Sequence, residues 1–141
     1  MPLFTGLATR DQADRVAATV SARLLRPGGL ATTAVASGQQ WDEPNGWAPL
    51  QWIAVTGLDR YGHRALADTI ANRWVRTVAG VYRCTGRLVE KYDVDTGRPG
   101  GGGEYPVQDG FGWTNGVTRA LLDRVPAAAN DAGPPCTAAN R

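Results

Sequence analysis

From Thr9 onward, apolar side chains recur every three to four positions, at Ala13, Ala17, Val20 and Leu24, and Gln12 follows Thr9 at the spacing of a capping box. This predicts a helix that Arg26, Pro27, Gly28 and Gly29 stop. A second helix is expected from near Asn45, with Pro49 tolerated in its first turns, Leu50, Ile53, Ala54 and Leu58 facing inward, and Tyr61 and Gly62 ending it. The third and longest runs from about His63 to Tyr82, puts Leu66, Ile70, Trp74, Val78 and Val81 on one stripe, and closes at Gly86. A fourth, from about Thr114 to Val125, carries Val117 and Leu121 inward; the Ala/Pro-rich residues 127–141 are expected to be an unstructured tail. The predicted class is all-α, in helix pairs joined by long loops.

Those loops exceed what helix packing needs. Helix connections usually take about 2 to 8 residues, whereas the segments from Pro27 to Gly46 and from Arg87 to Trp113 are far longer. They contain or border Trp41, Trp47, Tyr92, Tyr105, Phe111 and Trp113. Such aromatics either plug the ends of a helical core or line a binding site.

Composition narrows the choice. With 141 residues the chain forms one domain at most. Its apolar runs fall well short of a membrane span of about 20 residues. The start, MPLFTGLATRDQ, lacks the basic and apolar regions of a signal peptide, and the cellular location of the protein stays open. Arginines dispersed along the whole chain and a net charge of +2 argue against a nucleic-acid partner. Cys84 and Cys136 have no metal-ligand spacing, although they could form one bridge in an exported protein. A triad would have to use His63, which reads better as a solvated helix-terminus histidine, and no metal or cofactor is called for.

Three segments carry candidate chemistry. In RLVEKYDV, an extended chain puts Leu88, Glu90, Tyr92 and Val94 on one face and Val89, Lys91 and Asp93 on the other. Glu90 then sits among apolar neighbours, and Lys91 could hold its charge if the ammonium turned inward, an arrangement suited to a general base. Equally, Glu90 and Lys91 could be surface charges. The run GGGGE, from Gly100 to Glu104, leads into Tyr105, Gln108 and GFGWTNG without phosphate-loop spacing. Its glycines permit close backbone approach, and its acceptors, donors and flat rings suit a sugar. In QQWDEPNGWAPLQ, Trp41 and Asp42 precede a Pro-Asn-Gly bend and Trp47 follows it. That group could grip a pyranose or build a turn around a buried tryptophan.

Together these residues resemble a known family. QQWDEPNGWAPLQW is similar to the signature of α,α-trehalases, which split trehalose into two glucoses, and GGGGEYPVQDGFGWTNGV resembles their Gly-rich C-terminal segment. The similarity runs from about Pro2 to Val125, so residues 1–126 read as the C-terminal portion of a trehalase catalytic domain. The resemblance implies a partial (α/α)6 barrel and an inverting mechanism. It also implies that Glu90 is the catalytic base, that Glu104 lies at the substrate, and that Trp41, Asp42, Trp47 and Tyr105 line or brace the sugar pocket. The implied ligands are trehalose and glucose. The family's acid is an Asp in an upstream motif that nothing here matches. The chain is therefore expected to be the closing part of an enzyme, to start internally and to need the missing N-terminal half as its partner. Without those neighbours, Leu66, Ile70 and Trp74 are expected to be partly exposed.

Overall fold

The computed structural model describes residues 1–103 and 105–131. It contains helices α1 (Pro2–Thr5), α2 (Arg10–Thr19), α3 (Ala48–Arg60), α4 (Arg64–Thr85) and α5 (Gly112–Arg124). Five short strands accompany them: β1 (Leu25–Arg26), β2 (Gly29–Leu30), β3 (Asn45–Trp47), β4 (Lys91–Asp93) and β5 (Arg98–Pro99).

The capping box forms as expected. Gln12 N donates to Thr9 Oγ1 at 3.2 Å, and Thr9 N donates to Gln12 Oε1 at 2.8 Å. Past Thr19 the helix widens into a π-helical turn, Val20–Leu24, and the chain enters the antiparallel β1–β2 hairpin. Two glycines let this hairpin press against the core. A Cβ on Gly28 would fall 2.7 Å from Thr77 Oγ1, and Gly29 has φ +138° with Trp74 beside it. Gln51, wholly buried on α3, pairs with both backbone groups of Leu30: Leu30 N donates to Oε1 at 2.9 Å and Nε2 donates to Leu30 O at 2.8 Å. A buried amide matched on both sides costs little and fixes the hairpin to α3.

The second helix begins at Ala48, three residues later than its pattern suggests. Asn45–Trp47 instead forms the edge of a three-stranded antiparallel sheet in the order β3-β4-β5, with Asn45 opposite Asp93 and Trp47 opposite Lys91. Partners more than forty residues away in sequence thus override the local helical pattern. The buried stripe of α3 is Gln51, Val55 and Leu58; Leu50, Ile53 and Ala54 are only half-buried. They border a cleft shared with α1 and α2. The pattern did not suggest α1, which packs where Gly57 leaves room for Leu3 and Phe4.

Helix α4 is the spine. It packs against α3, α5, β2 and a 3-10 turn at Pro126–Ala129, and ends at Gly86 with φ +69°. The exposure expected for its stripe does not occur at Ile70 or Trp74, both 0% exposed, because these neighbours already enclose them; Leu66 is half-buried. The tail also differs at its start, since Pro126–Ala129 is ordered in a turn with Ala128 buried. Residues 132–141, Cys136 among them, lie outside the described residues. Cys84 is disulfide-bonded. His63 occupies the N-cap position of α4 without a side-chain capping bond, its Nε2 2.9 Å from Asp14 and without hydrogen-bond alignment. No helix among the described residues is long and apolar enough to cross a membrane.

Arg124, near the end of α5, ties three helices together. Its guanidinium donates to Asp68 on α4 at 2.8 Å and to both carboxylate oxygens of Asp59 on α3 at 2.8 and 3.1 Å. The hydrogen bond from Arg124 holds the Asp59 carboxyl below its ordinary value of 3.8. A carboxyl lowered in the fold stabilises it fully above that ordinary value, and the contribution disappears as pH falls through the lower, folded value. Asp59 is a third exposed, so solvent screens part of the gain. Arg124→Met should lose about 1 to 2 kcal/mol in urea unfolding at pH 7. Wild type and variant should converge as acid protonates Asp59.

Candidate active site

The site is assembled where β3 ends and β4 begins. Trp47 and Lys91 are register partners, 1% and 0% exposed. Glu90 precedes β4 in a bend whose backbone is pinned from several sides. Glu90 N donates to Gln108 O at 2.9 Å, Val89 N donates to Tyr92 Oη at 3.1 Å, and Thr114 Oγ1 donates to Val89 O at 2.9 Å. Burial pushes the Tyr92 hydroxyl up to about 12, so it stays protonated at any physiological pH.

This bend changes the expected alternation. On a straight strand Glu90 and Lys91 would point to opposite faces, yet Lys91 Nζ lies 2.6 Å from Glu90 Oε1 and both side chains are fully buried. Both sides of the segment are covered, as the burial of Val89 and Tyr92 also shows. Removing two charges from water costs several kcal/mol per ion, so the pair needs further partners. Lys91 Nζ donates to Gln40 Oε1 at 3.1 Å and stands 5.4 Å from the Trp47 ring and 5.1 Å from the Tyr105 ring, within cation–π range. Glu90 Oε2 receives only a long contact of 3.4 Å from Tyr105 Oη among the described residues. That oxygen keeps lone-pair capacity for a further hydrogen bond.

Close packing of two loops delivers Gln40 to this pair. A Cβ on Gly102, which has φ +77°, would come 2.5 Å from Gly38 O, and one on Gly100 would come 2.5 Å from Asn45 Oδ1. Asn45 locks the approach: its Nδ2 donates to Gly101 O at 2.9 Å and its Oδ1 accepts from Gly101 N at 3.1 Å. The glycine run is therefore packed, and the reading of it as a close-approach segment fits better than a linker.

An aromatic cluster roofs the charges. Trp41 stacks on Trp47 with ring centres 3.8 Å apart and planes 5° from parallel. Trp113 meets Trp47 edge-on at 5.6 Å, and Phe111 leans on Trp113 at 4.9 Å. Trp41, Tyr105 and Trp113 remain about 40% exposed, so flat faces stay open beside a buried carboxylate. Such faces can stack on the C–H side of a sugar ring while the carboxylate handles its polar edge.

Of the residues singled out from sequence, Glu90, Trp41, Trp47 and Tyr105 come together. Asp42 does not reach the cluster: its carboxylate accepts from Thr33 Oγ1 at 2.9 Å and from Ser37 Oγ, bracing the preceding loop. Glu104 lies outside the described residues. Gln40 and Trp113 also join the cluster; both lie in the segments that carry candidate chemistry, but their spacing does not single them out. No group of three or more His, Cys, Asp or Glu side chains among the described residues is placed to hold a metal ion.

Lys91→Met should cost about 3 to 5 kcal/mol in urea unfolding, because it strands a buried carboxylate. Adding Glu90→Gln should restore most of that loss, which a double-mutant cycle measures directly. Gly102→Ala should cost about 1 to 3 kcal/mol through overpacking and strain, whereas Gly101→Ala, with nothing near its Cβ, should be close to neutral.

Comparison with known proteins assigns the family. The trehalase family model matches residues 1–126. The periplasmic trehalase of Pseudomonas aeruginosa is 65% identical over 122 residues, covering 86% of this chain and 22% of that protein. The periplasmic trehalase of Xanthomonas oryzae is 60% identical over 134 residues, covering 94% of this chain and 24% of that protein. Among solved structures, the neutral trehalase Nth1 from Saccharomyces cerevisiae superposes with a TM-score of 0.73 at 30% identity, over 91% of this chain and 24% of that one. The chain thus spans under a quarter of the length of these relatives, and its helices form part of the (α/α)6 architecture. On the match across residues 1–126, this chain belongs to the trehalase family.

Proposed function

We propose that the whole protein hydrolyses α,α-trehalose to two glucoses with inversion, and that this chain supplies the general base and part of the glucose pocket. The observation that carries the proposal is the fully buried Glu90, held by Lys91 beneath open tryptophan and tyrosine faces. In the proposed step, a water gives a proton to Glu90 Oε2 while its oxygen bonds to the anomeric carbon. The glycosidic bond breaks as a carboxylic acid opposite protonates the departing oxygen. Inversion requires the two carboxyl groups to stand about 6.5 to 9.5 Å apart, with room for the water. That acid would come from the remainder of the trehalase fold, the N-terminal portion, which is the proposed partner. Trp41 and Tyr105 would hold the sugar, Trp47 would brace Trp41 from beneath, Asp42 would shape the preceding loop, and Glu104 would contact substrate. The names of the bacterial relatives support a periplasmic location for the parent enzyme.

The test is reconstitution. The 141-residue chain by itself should not turn over trehalose. Supplying the upstream portion of a close relative should restore glucose release, and Glu90→Gln should then lower kcat by a factor of about 10² to 10⁴. Turnover by the chain without a partner, or full activity of Glu90→Gln in the reconstituted enzyme, would refute the assignment. A second reading, a sugar-binding module without catalysis, draws on the open faces of Trp41 and Tyr105. It predicts saturable calorimetric heat with trehalose from the chain alone.

A further inference from the structure

Away from the aromatic cluster, a cleft of about 370 Å³ lies between α4 and the turn that joins β4 to β5. Arg73 and Arg76 enter it from one wall and Arg98 from the other. Their electrostatic setting differs from that of several other arginines here. Arg15, Arg26, Arg87, Arg119 and Arg124 each stand within ion-pair distance of a carboxylate. None of the three cleft arginines does, among the described residues. Arg73 donates to the carbonyl of Arg26 at 2.8 Å and Arg76 to the carbonyl of Asp131 at 3.2 Å. The one acidic side chain lining the cleft, Asp95, stands 3.5 Å from Arg26. Three arginines and one carboxylate, Asp95, therefore line the cleft, which leaves its described wall with a net positive charge.

We propose that this cleft binds a small phosphorylated molecule of the sugar-phosphate class, at a place separate from the Glu90 site. The three guanidiniums suit a phosphate group, which accepts paired hydrogen bonds from them. The volume falls in the range of small-molecule sites and exceeds what a bare phosphate fills. Pro27, Val81 and Pro99 add apolar wall for the body of the ligand. Occupation would join α4 to the β4–β5 turn, and β4 is the strand that bears Lys91. The cleft thereby offers a route by which a phosphorylated metabolite could steady the catalytic segment.

Isothermal titration of the 141-residue chain with glucose 6-phosphate, inorganic phosphate and glucose tests this, with thermal melts alongside. Glucose 6-phosphate should bind and raise Tm, phosphate should bind more weakly, and glucose should leave the cleft empty. Arg98→Ala and Arg76→Ala alter exposed side chains and should each weaken glucose 6-phosphate binding about tenfold or more, with Arg98→Lys partly retaining it. Arg119→Ala removes an equal charge from α5 and should change nothing. Absence of saturable glucose 6-phosphate binding, or equal binding in the Arg98, Arg76 and Arg119 variants, would overturn the site. Equal affinity for phosphate and glucose 6-phosphate would overturn the assignment of a sugar phosphate. Because none of these readouts depends on trehalose turnover, their failure is distinct from failure of the catalytic reading.

Discussion

The buried ion pair of Glu90 and Lys91 sets the requirements that the surrounding structure meets. A carboxylate and an ammonium withdrawn from water cost several kcal/mol each, and their mutual attraction offsets this only with good geometry and further partners. Here the pairing distance is 2.6 Å, and the ammonium also has Gln40 and two aromatic rings within reach. Every one of these partners comes from elsewhere in the chain. Gln40 and Trp47 arrive from the loop and strand before α3, Tyr105 from the loop before α5. The charge pair is stable only in the complete tertiary arrangement, so the site and the fold form together.

That dependence explains the density of glycine and asparagine around it. Where Gln40 reaches Lys91, the segment at 38–40 lies against Gly102 and Gly103, and at Gly102 a Cβ would come 2.5 Å from Gly38 O. Asn45 then replaces the backbone pairing such irregular loops lack, through two hydrogen bonds to Gly101. The same device recurs at the other end of the sheet. Gly28 and Gly29 let the β1–β2 hairpin sit against Thr77 and Trp74, and Gln51 satisfies the backbone of Leu30. Long loops become rigid here through specific polar matches over a helical spine, while α4 supplies the apolar support.

The relatives share this portion at 60–65% identity although it spans under a quarter of their length. The chain holds its own packed center around Ile70, Trp74 and Val78. What it presents outward is a rim of tryptophan and tyrosine, with the Glu90 carboxylate fully buried beneath it. A hydrolytic site of the inverting kind needs a second carboxyl group opposite, across a gap that admits water. The Glu90–Lys91 pair is a coherent unit physically, because its two charges neutralise each other within this chain.

The amino-acid sequence by itself determined the four longer helices, apart from the start of α3, and the residue types of the loops. The capping box at Thr9, the long stripe of α4 and the stop at Gly86 are local signals, written in spacing and in the freedom of one glycine. The tryptophan and glycine motifs likewise carried the family resemblance, and the EKYD segment singled out Glu90 as the candidate base. Tertiary structure decided the rest. Asn45–Trp47 reads as the start of a helix until a strand from far along the chain pairs with it. The spacing around Asp42 does not disclose that its carboxylate accepts from Thr33 and Ser37, and Glu90 and Lys91 read as opposed until a bend brings them into contact. The reason is common to all three: periodicity encodes which side of an element is apolar, whereas strand pairing, turns and polar partners depend on which distant segments are brought within hydrogen-bonding distance.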